Sequence, residues 1–593
     1  MFRSLLNFLF LCCGILAAAP PPGSWELVFE EEFSSNELDG AVWKLGLADA
    51  GIEGVGGTTP ESISLAEGVL TITALNESAV FCSKEFPFST AEISTFLRYN
   101  QKYGYFEARM RWDTETGMWP AFWLMPQRNQ HGIQEYYNRS YLKFDISEVD
   151  KQPIESAKLR LKVIAVGNDA KQPNNIQAFA VTDDSWSEDT LTWNNQPLWN
   201  PLYLDQKFGY DAEPASYVEL DVTDFVNAEL AGDGIISIAL ADEFRRARGQ
   251  FFHSKEATNA EDQPQLVLDG VVLHPTDDAM VIWGKNADKN TGKSKELRVR
   301  THYHNATDDT ANGGMEIDIM ETLGVWGPTV ASHALHWDGY GSDHKAAGWG
   351  PVPVGKTDEF HDYGVYWAPG LIEFYIDGVK TGSYASDRVM NTPAYLILSL
   401  QLGGWDGNRP TEAIDGNKLD VDYVRAWSGT KIANVPSRTT QASNGVVSFG
   451  KDYTVYGGKG NAGSQIGVAD DGSSFSISRN GWMKFPLDYT VTPDTILEFS
   501  VKSSSLGEIL GIGLDEDDDS ANAKRVFQLA GSQTWKDAWQ DFNDYPGEAE
   551  VKKYTIPVGE YYTGPMSQLV ITADNDTTKK IYALFGAVRV YEK

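Results

Sequence analysis

GGMEIDIMETLG, residues 313–324, places three carboxylates, Glu316, Asp318 and Glu321, within six positions of an otherwise apolar run. Acid alternating with Ile and Met predicts a strand, because successive strand side chains point to opposite faces. Glu316 and Asp318 then share one face, and strict alternation gives the next place on it to Met320. The third acid comes one residue late. For Glu321 to join the other two, an extra residue must be absorbed between Asp318 and Glu321, which is what a β-bulge does. Without the bulge, Glu321 turns to the other face. The spacing predicts a bulged strand with three acids on one side.

The rest of the chain fits the same fold class. Alternating runs such as GYFEARMRW (104–112), LIEFYIDG (371–378) and YLILSLQL (395–402) are punctuated by Gly, Asn, Asp and Pro, while helical periodicity is scarce. An all-β protein built of sandwiches is expected. At 593 residues the chain exceeds what one core supports. Residues 20–130 and 309–430 share a Trp-, Tyr- and Gly-rich texture and are read as one discontinuous domain. Residues 131–308 are read as an inserted β-sandwich, 431–445 as a polar linker, and 446–593 as a C-terminal β-sandwich.

The formal net charge of −34 argues against nucleic acid, whose phosphates need clustered Lys and Arg. It also disfavours densely sulfated or uronic polymers, since like charges slow encounter. At the N-terminus, Arg3 precedes LLNFLFLCCGIL, followed by Ala17-Ala18-Ala19. This describes a secretory signal peptide over residues 1–19, too short for a membrane span. Cys12 or Cys13 is a weak candidate for a lipid anchor. After cleavage Cys82 stands alone, so no intramolecular disulfide is expected. The expected protein is exported to the medium, periplasm or cell surface, with no membrane insertion, and is a monomer.

Three acids converging on a cleft suit glycoside cleavage with retention. That chemistry needs an ionised carboxylate as nucleophile and a protonated carboxyl as acid, ~5 Å apart across the sugar bond. Glutamates about four strand steps apart have Cα atoms roughly 13 Å apart, and side chains leaning inward close much of that gap. An aspartate between them can keep their pKa values apart. No phosphate-cradling loop, G-x-S-x-G elbow or Cys/His metal spacing offers another chemistry.

The order GYFEARMRW, GMWPAFWLMP, GGMEIDIMETLG, ASHALHW, FHDYGVYW, IEFYIDG, LGGWDGNRP and LDVDYVRAW resembles glycoside hydrolase family 16 over about 230 residues. The resemblance implies a concanavalin-like β-jelly roll that cuts β-linked polysaccharide internally with retention. It makes Glu316 the nucleophile, Asp318 its assistant and Glu321 the acid/base. The bulged spacing resembles the branch of laminarinases, agarases, porphyranases and carrageenases. GMWPAFW looks most like laminarinases, implying a β-1,3-glucan; an algal galactan is the alternative, and a non-catalytic glucan-binding lectin a further one. Trp119 and Trp405 are candidate subsite walls, His336 a neighbour of the reacting sugar, and Glu92 a sugar-hydroxyl contact, while Trp123 reads as core. Glu92 departs from the Arg that many laminarinases carry at that place and looks more lichenase-like. No catalytic cofactor is implied, but a structural Ca²⁺ is, held by Glu32 and Asp422.

In the insert, RSYLKFDIS, SAKLRL, DDSWSEDTLTWNN, HSKEA and PQLVL resemble DNRLRE-type carbohydrate-binding modules. The module's usual opening strand is missing before Arg139, and DDAMVIWGKNADKNTGKSKELRVRT (277–301) follows instead, so a circularly permuted insertion standing at the cleft rim is expected. In the C-terminal unit, Trp482, Trp535 and Trp539 are candidates for an aromatic platform or for core, and DEDDDS (515–520) reads as a solvated acidic loop.

Overall fold

The structure, a computed structural model, describes residues 20–593 except 47–53, 82–83, 97, 128–137, 168–173, 211–212, 244–248, 283–285, 301–309, 312, 432–439, 444, 451, 459–463, 470–471, 522, 548–549 and 576–580. The signal peptide with Cys12 and Cys13, Cys82, and most of the expected linker lie outside these residues. Among the described residues the protein is nearly all strand, with one α-helix, Thr223–Ala231.

Two eight-stranded sheets form the first sandwich. Both mix strands from either side of the insert. In the outer sheet, Gly104–Trp112 lies between His361–Ala368 and Lys418–Lys431. In the inner sheet, Met118–Pro126 lies between Ala394–Leu402 and Met315–Glu321. Sequence alternation decides what each face sees. Along MWPAFWLMP, Met118, Phe122 and Leu124 enter the core between the sheets, with Ile317, Leu398, Leu400, Phe106 and Val365. Ala121 and Trp123 point the other way, into a second apolar cluster with Phe96, Tyr395 and Ile397. Trp123 is therefore buried, as its surroundings in the sequence suggest, but under the inner sheet's free face; its Nε1 donates to Ser399 Oγ at 3.0 Å.

Residues 138–299 carry two further sheets around Leu142, Leu159, Leu161, Ile236 and Leu240. Asp277–Ile282 pairs with Asn138–Asp145, and Glu296–Val299 pairs with Gln250–His253, so both strands lie inside the inserted sheets. This body meets the edge strand Lys44–Leu45 of the inner sheet. There Lys44 donates to the Glu243 carbonyl and lies 3.5 Å from its carboxylate, which also holds Arg139 at 3.1 Å. Among the described residues, then, the insert touches the far edge of the inner sheet, four strands from Met315–Glu321.

The C-terminal sandwich packs on the opposite side. Its strands Tyr582–Glu592 and Gln465–Val468 lie against Lys345–Pro353 and Val379–Ala385, the edge strands of the inner and outer sheets. Tyr582 enters the first sandwich's core. Covering both edges removes open ladders that would otherwise template aggregation. Trp482 and Trp535 are buried edge to face, with centroids 4.8 Å apart, beneath loops of their own domain. They are core and not a platform. Trp539 is half-buried, packs against Tyr561 and donates from Nε1 to the Lys524 carbonyl at 2.8 Å. In the acidic loop, Asp518 pairs with Lys484 and Glu516 with Arg525, while Asp517 and Asp519 cap backbone N–H groups.

Candidate active site

Met315–Glu321 runs between Met118–Pro126 and Val330–Trp337. Against the first, Asp318 faces Trp123, Met320 faces Phe122 and Glu321 faces Ala121, so Ile319 has no partner. Against the second, the register also slips between Asp318 and Glu321. Ile319 and Met320 are both fully buried in the core between the sheets. Neighbours on a regular strand point to opposite faces, so Ile319 is the extra residue and Glu321 turns to the side of Glu316 and Asp318.

The three acids have unlike surroundings. Asp318 is buried, and burial, reinforced by the charges of Glu316 and Glu321, holds its carboxyl well above the usual range. Its hydrogen bond with Glu316 pushes in the same direction. Burial pushes Glu321 up to about 7, against the opposing pull of Trp119, whose Nε1 donates to Oε2 at 3.1 Å. Glu316 accepts from the Tyr340 hydroxyl, which also lies 3.8 Å from Met125 Sδ. His336 stands directly across from Glu316. Burial, then the nearby His344, pushes its ring down to about 4. His336 Nε2 approaches Asp318 Oδ2 at 3.6 Å. His336 Nδ1 is 2.9 Å from His344 Nε2, and the rings stack.

An aromatic wall stands at the Glu321 end. Trp119 meets the exposed Trp405 edge to face at 5.1 Å, and Trp405 meets Trp326 at 6.0 Å. Trp326 Nε1 donates to Asp406 at 3.0 Å. Asn408, fully buried, ties the three segments together. It accepts from the N–H of Gly117 at 2.7 Å and of Val325 at 3.1 Å, and donates to the carbonyls of Met118 and Gly403. At the Glu316 end, Asp338 takes Lys345 and Arg388 at 2.9 and 2.7 Å and so secures the turn that carries Tyr340. Sequence reasoning missed Trp326, Tyr340 and Asn408. The available signals were the GVW that closes the motif's loop and the DGYG turn after HW.

The other expected residues are placed differently. Glu92 lies in one cross-strand row with Ser399, Ala121 and Glu321, hence on their face, but its side chain is only 1% exposed. Glu32 pairs with Arg425 at 2.7 Å and Asp422 with Arg109 at 3.3 Å. A hard cation would take its oxygens from these two carboxylates only in exchange for the arginines that now hold them. Among the described residues, the one group of three or more acids or histidines with ligand atoms all within 4.8 Å is Glu316, Asp318 and His336, on the bulged strand and its neighbour. No helix among the described residues is long and apolar enough to cross a membrane.

Comparisons with known proteins bear on two segments. Residues 298–425 match the model of glycosyl hydrolases family 16, and residues 124–270 that of carbohydrate-binding module family 96. The second match stops short of Asp277–Ile282 and Glu296–Val299, which complete the inserted sheets. Endo-1,3-1,4-beta-glycanase EglC of Rhizobium meliloti (strain 1021) is 38% identical over 113 residues, 19% of this chain and 24% of that protein. Gellan lyase of a Bacillus species is 32% identical over 149 residues, 24% of this chain and 6% of that protein. The chain spans between 6% and 44% of the length of these and the other curated relatives it matches. The laminarinase catalytic domain of Thermotoga maritima MSB8 aligns at 15% identity and a TM-score of 0.33, covering 68% of this chain and 99% of that one.

Proposed function

Since residues 298–425 are a family 16 glycosyl hydrolase segment and residues 124–270 a family 96 carbohydrate-binding module, we propose that the protein hydrolyses β-linked glucan internally with retention. The carrying observation is that two glutamates share one face of a bulged strand in unlike surroundings. Glu316 attacks the anomeric carbon as the bond to the leaving oxygen breaks, and that oxygen takes the proton of Glu321. Water then gives a proton to Glu321 and attacks the same carbon, which releases Glu316. Asp318, itself protonated, donates to Glu316 and keeps a second negative charge away from the nucleophile.

The curated relatives include endo-1,3-1,4-beta-glycanases and a glucan endo-1,3-beta-glucosidase, and on that similarity we take β-1,3- or mixed β-1,3-1,4-glucan as the substrate class. The aromatic wall of Trp119, Trp405 and Trp326 suits uncharged sugar rings. A polymer of this size is met outside the cytoplasm, in keeping with the leader-like residues 1–19. Reducing-sugar release from laminarin, lichenan, agarose, porphyran and carrageenan tests the substrate, and the anomer formed first, read by NMR, tests retention. Glu316→Gln should reduce hydrolysis to background in a folded protein; a Glu316→Gln variant with normal activity would falsify the assignment.

A further inference from the structure

Ile319 has no partner across from it on either neighbouring strand. A slip of one residue would return Glu321 to the opposite face, so something must hold the bulge. The Ile319 carbonyl oxygen lies 2.6 Å from Nδ1 of His333, a side chain only 1% exposed on the next strand. A carbonyl only accepts, so Nδ1 carries the proton. Burial pushes the ring down to about 4, so Nε2 is a bare acceptor, 2.7 Å from the Thr381 hydroxyl. That hydroxyl has one proton, and the short contact to Nε2 takes it in preference to the 3.3 Å approach to the Phe374 carbonyl. Thr381 and Phe374 belong to the outer sheet, and the imidazole stacks on Phe374 at 4.6 Å and 6°. One neutral ring thus spans the core from the outer sheet to the extra residue of the acid strand.

We propose that His333 is a positioning residue for the acid/base: by donating to the Ile319 carbonyl from a ring anchored in the outer sheet, it holds the bulge and fixes Glu321 on the cleft face. This rests on the assignment of Glu321 above. The alternative is a core histidine that merely satisfies a leftover carbonyl, with no bearing on Glu321.

Two substitutions separate these readings. An Asn amide nitrogen sits where Nδ1 sits and keeps the bond to Ile319; a Gln amide reaches the place of Nε2, where its oxygen accepts from Thr381, and keeps only that bond. With a β-glucan polymer, whose alkoxide leaving group needs a proton, His333→Gln should lower kcat about a hundredfold, the scale of a lost general acid, with KM little changed. With a dinitrophenyl β-oligoglucoside, whose leaving group needs no proton, kcat/KM, which ends at the step that expels it, should fall by no more than about fivefold, whereas on the polymer it should fall with kcat. His333→Asn should stay close to wild type on both substrates. Equal behaviour of the two variants, parallel losses on the two substrates, or failure of both variants to fold would overturn the proposal. Crystals of His333→Gln give a readout free of activity: the Glu321 carboxylate should have left Trp119 Nε1. An intact bulge with that contact kept would overturn the proposal even for a wild type inactive on every glucan, whereas such inactivity by itself would strike only the glucanase reading.

Discussion

Glu321 is decided by a contest between burial, which favours its protonated form, and the Trp119 N–H, which favours the carboxylate; burial wins, at about 7. A general acid must hold its proton, so kcat/KM should fall as pH rises through about 7. Trp119→Phe removes the group that favours the carboxylate, so the alkaline limb should move to higher pH by up to about one unit, or ~1.4 kcal/mol. A pH–rate profile checks both, and a limb that stays put or moves down in Trp119→Phe would contradict this account. At this scale the sequence was readable where a pattern broke. The late arrival of Glu321 demanded an extra residue, and the structure identifies it as Ile319. His333 and Tyr340 carried no such mark. Each matters through a single contact, to Ile319 O and to Glu316, that a loop or a neighbouring strand creates. Glu92 shows the converse: the resemblance made it a sugar-hydroxyl contact, and it does lie in the acids' row, but only 1% of it is exposed.

The elements around the acids are held by one amide. Asn408 makes four hydrogen bonds to backbone groups in the segments carrying Trp119, Trp326 and Trp405. Asn408→Ala would leave buried N–H and C=O groups unpaired, at a cost of ~3 kcal/mol, read as a lower Tm. It should also raise KM for long glucans more than for a short aryl glycoside, because the aromatic wall loosens while the acids stay on their strand. Trp405→Ala, at an exposed ring, should raise KM with Tm nearly unchanged, so the pair separates wall from clamp. Sequence texture found the strands and their order, since alternation is local. It could not show that residues 117, 325 and 408 meet, because turns almost 300 residues apart create that contact. Nor could it tell platform from core for Trp482 and Trp535, which are buried in one apolar cluster of their own domain.

At the scale of the whole molecule, composition and texture suggested three sandwiches, and the structure adds how they join: the insert at the Lys44–Leu45 edge and the C-terminal body at the Lys345–Pro353 edge. Each body also buries a carboxyl that burial raises above the usual carboxylate range. Glu107 in the first sandwich is raised to about 8, Asp278 in the insert to about 7 and Asp515 in the C-terminal body to about 6. The network around Glu107 is consistent with a proton on it. Tyr105 donates to its Oε2, and Tyr423 lies 3.0 Å from Oε1 and 2.8 Å from Asp362, which is paired with Arg109. The Tyr423 hydroxyl is in reach of both carboxylates with one proton to give, so a proton on Glu107 would let Glu107 donate to Tyr423 and Tyr423 to Asp362. The native state therefore holds protons that the unfolded chain releases near its ordinary carboxylate pKa of about 4. Stability from these groups is full below that value and is lost as pH rises through about 6, 7 and 8. Asp221, lowered to about 2 by Lys158 and Thr223 despite partial burial, acts in the opposite sense and loses its contribution only as pH falls toward 2. Calorimetry should accordingly show lower Tm at pH 8.5 than at pH 5, with several transitions because the bodies need not unfold together. Glu107→Gln mimics the protonated acid: its oxygen accepts from Tyr105 and its amide donates to Tyr423. That variant should be nearly neutral at pH 5 and should lose less stability at pH 8.5, by a few kcal/mol in order of magnitude, read as a smaller drop in Tm. The same alkaline loss in Glu107→Gln as in the wild type would show that the proton on Glu107 is not what the first sandwich depends on.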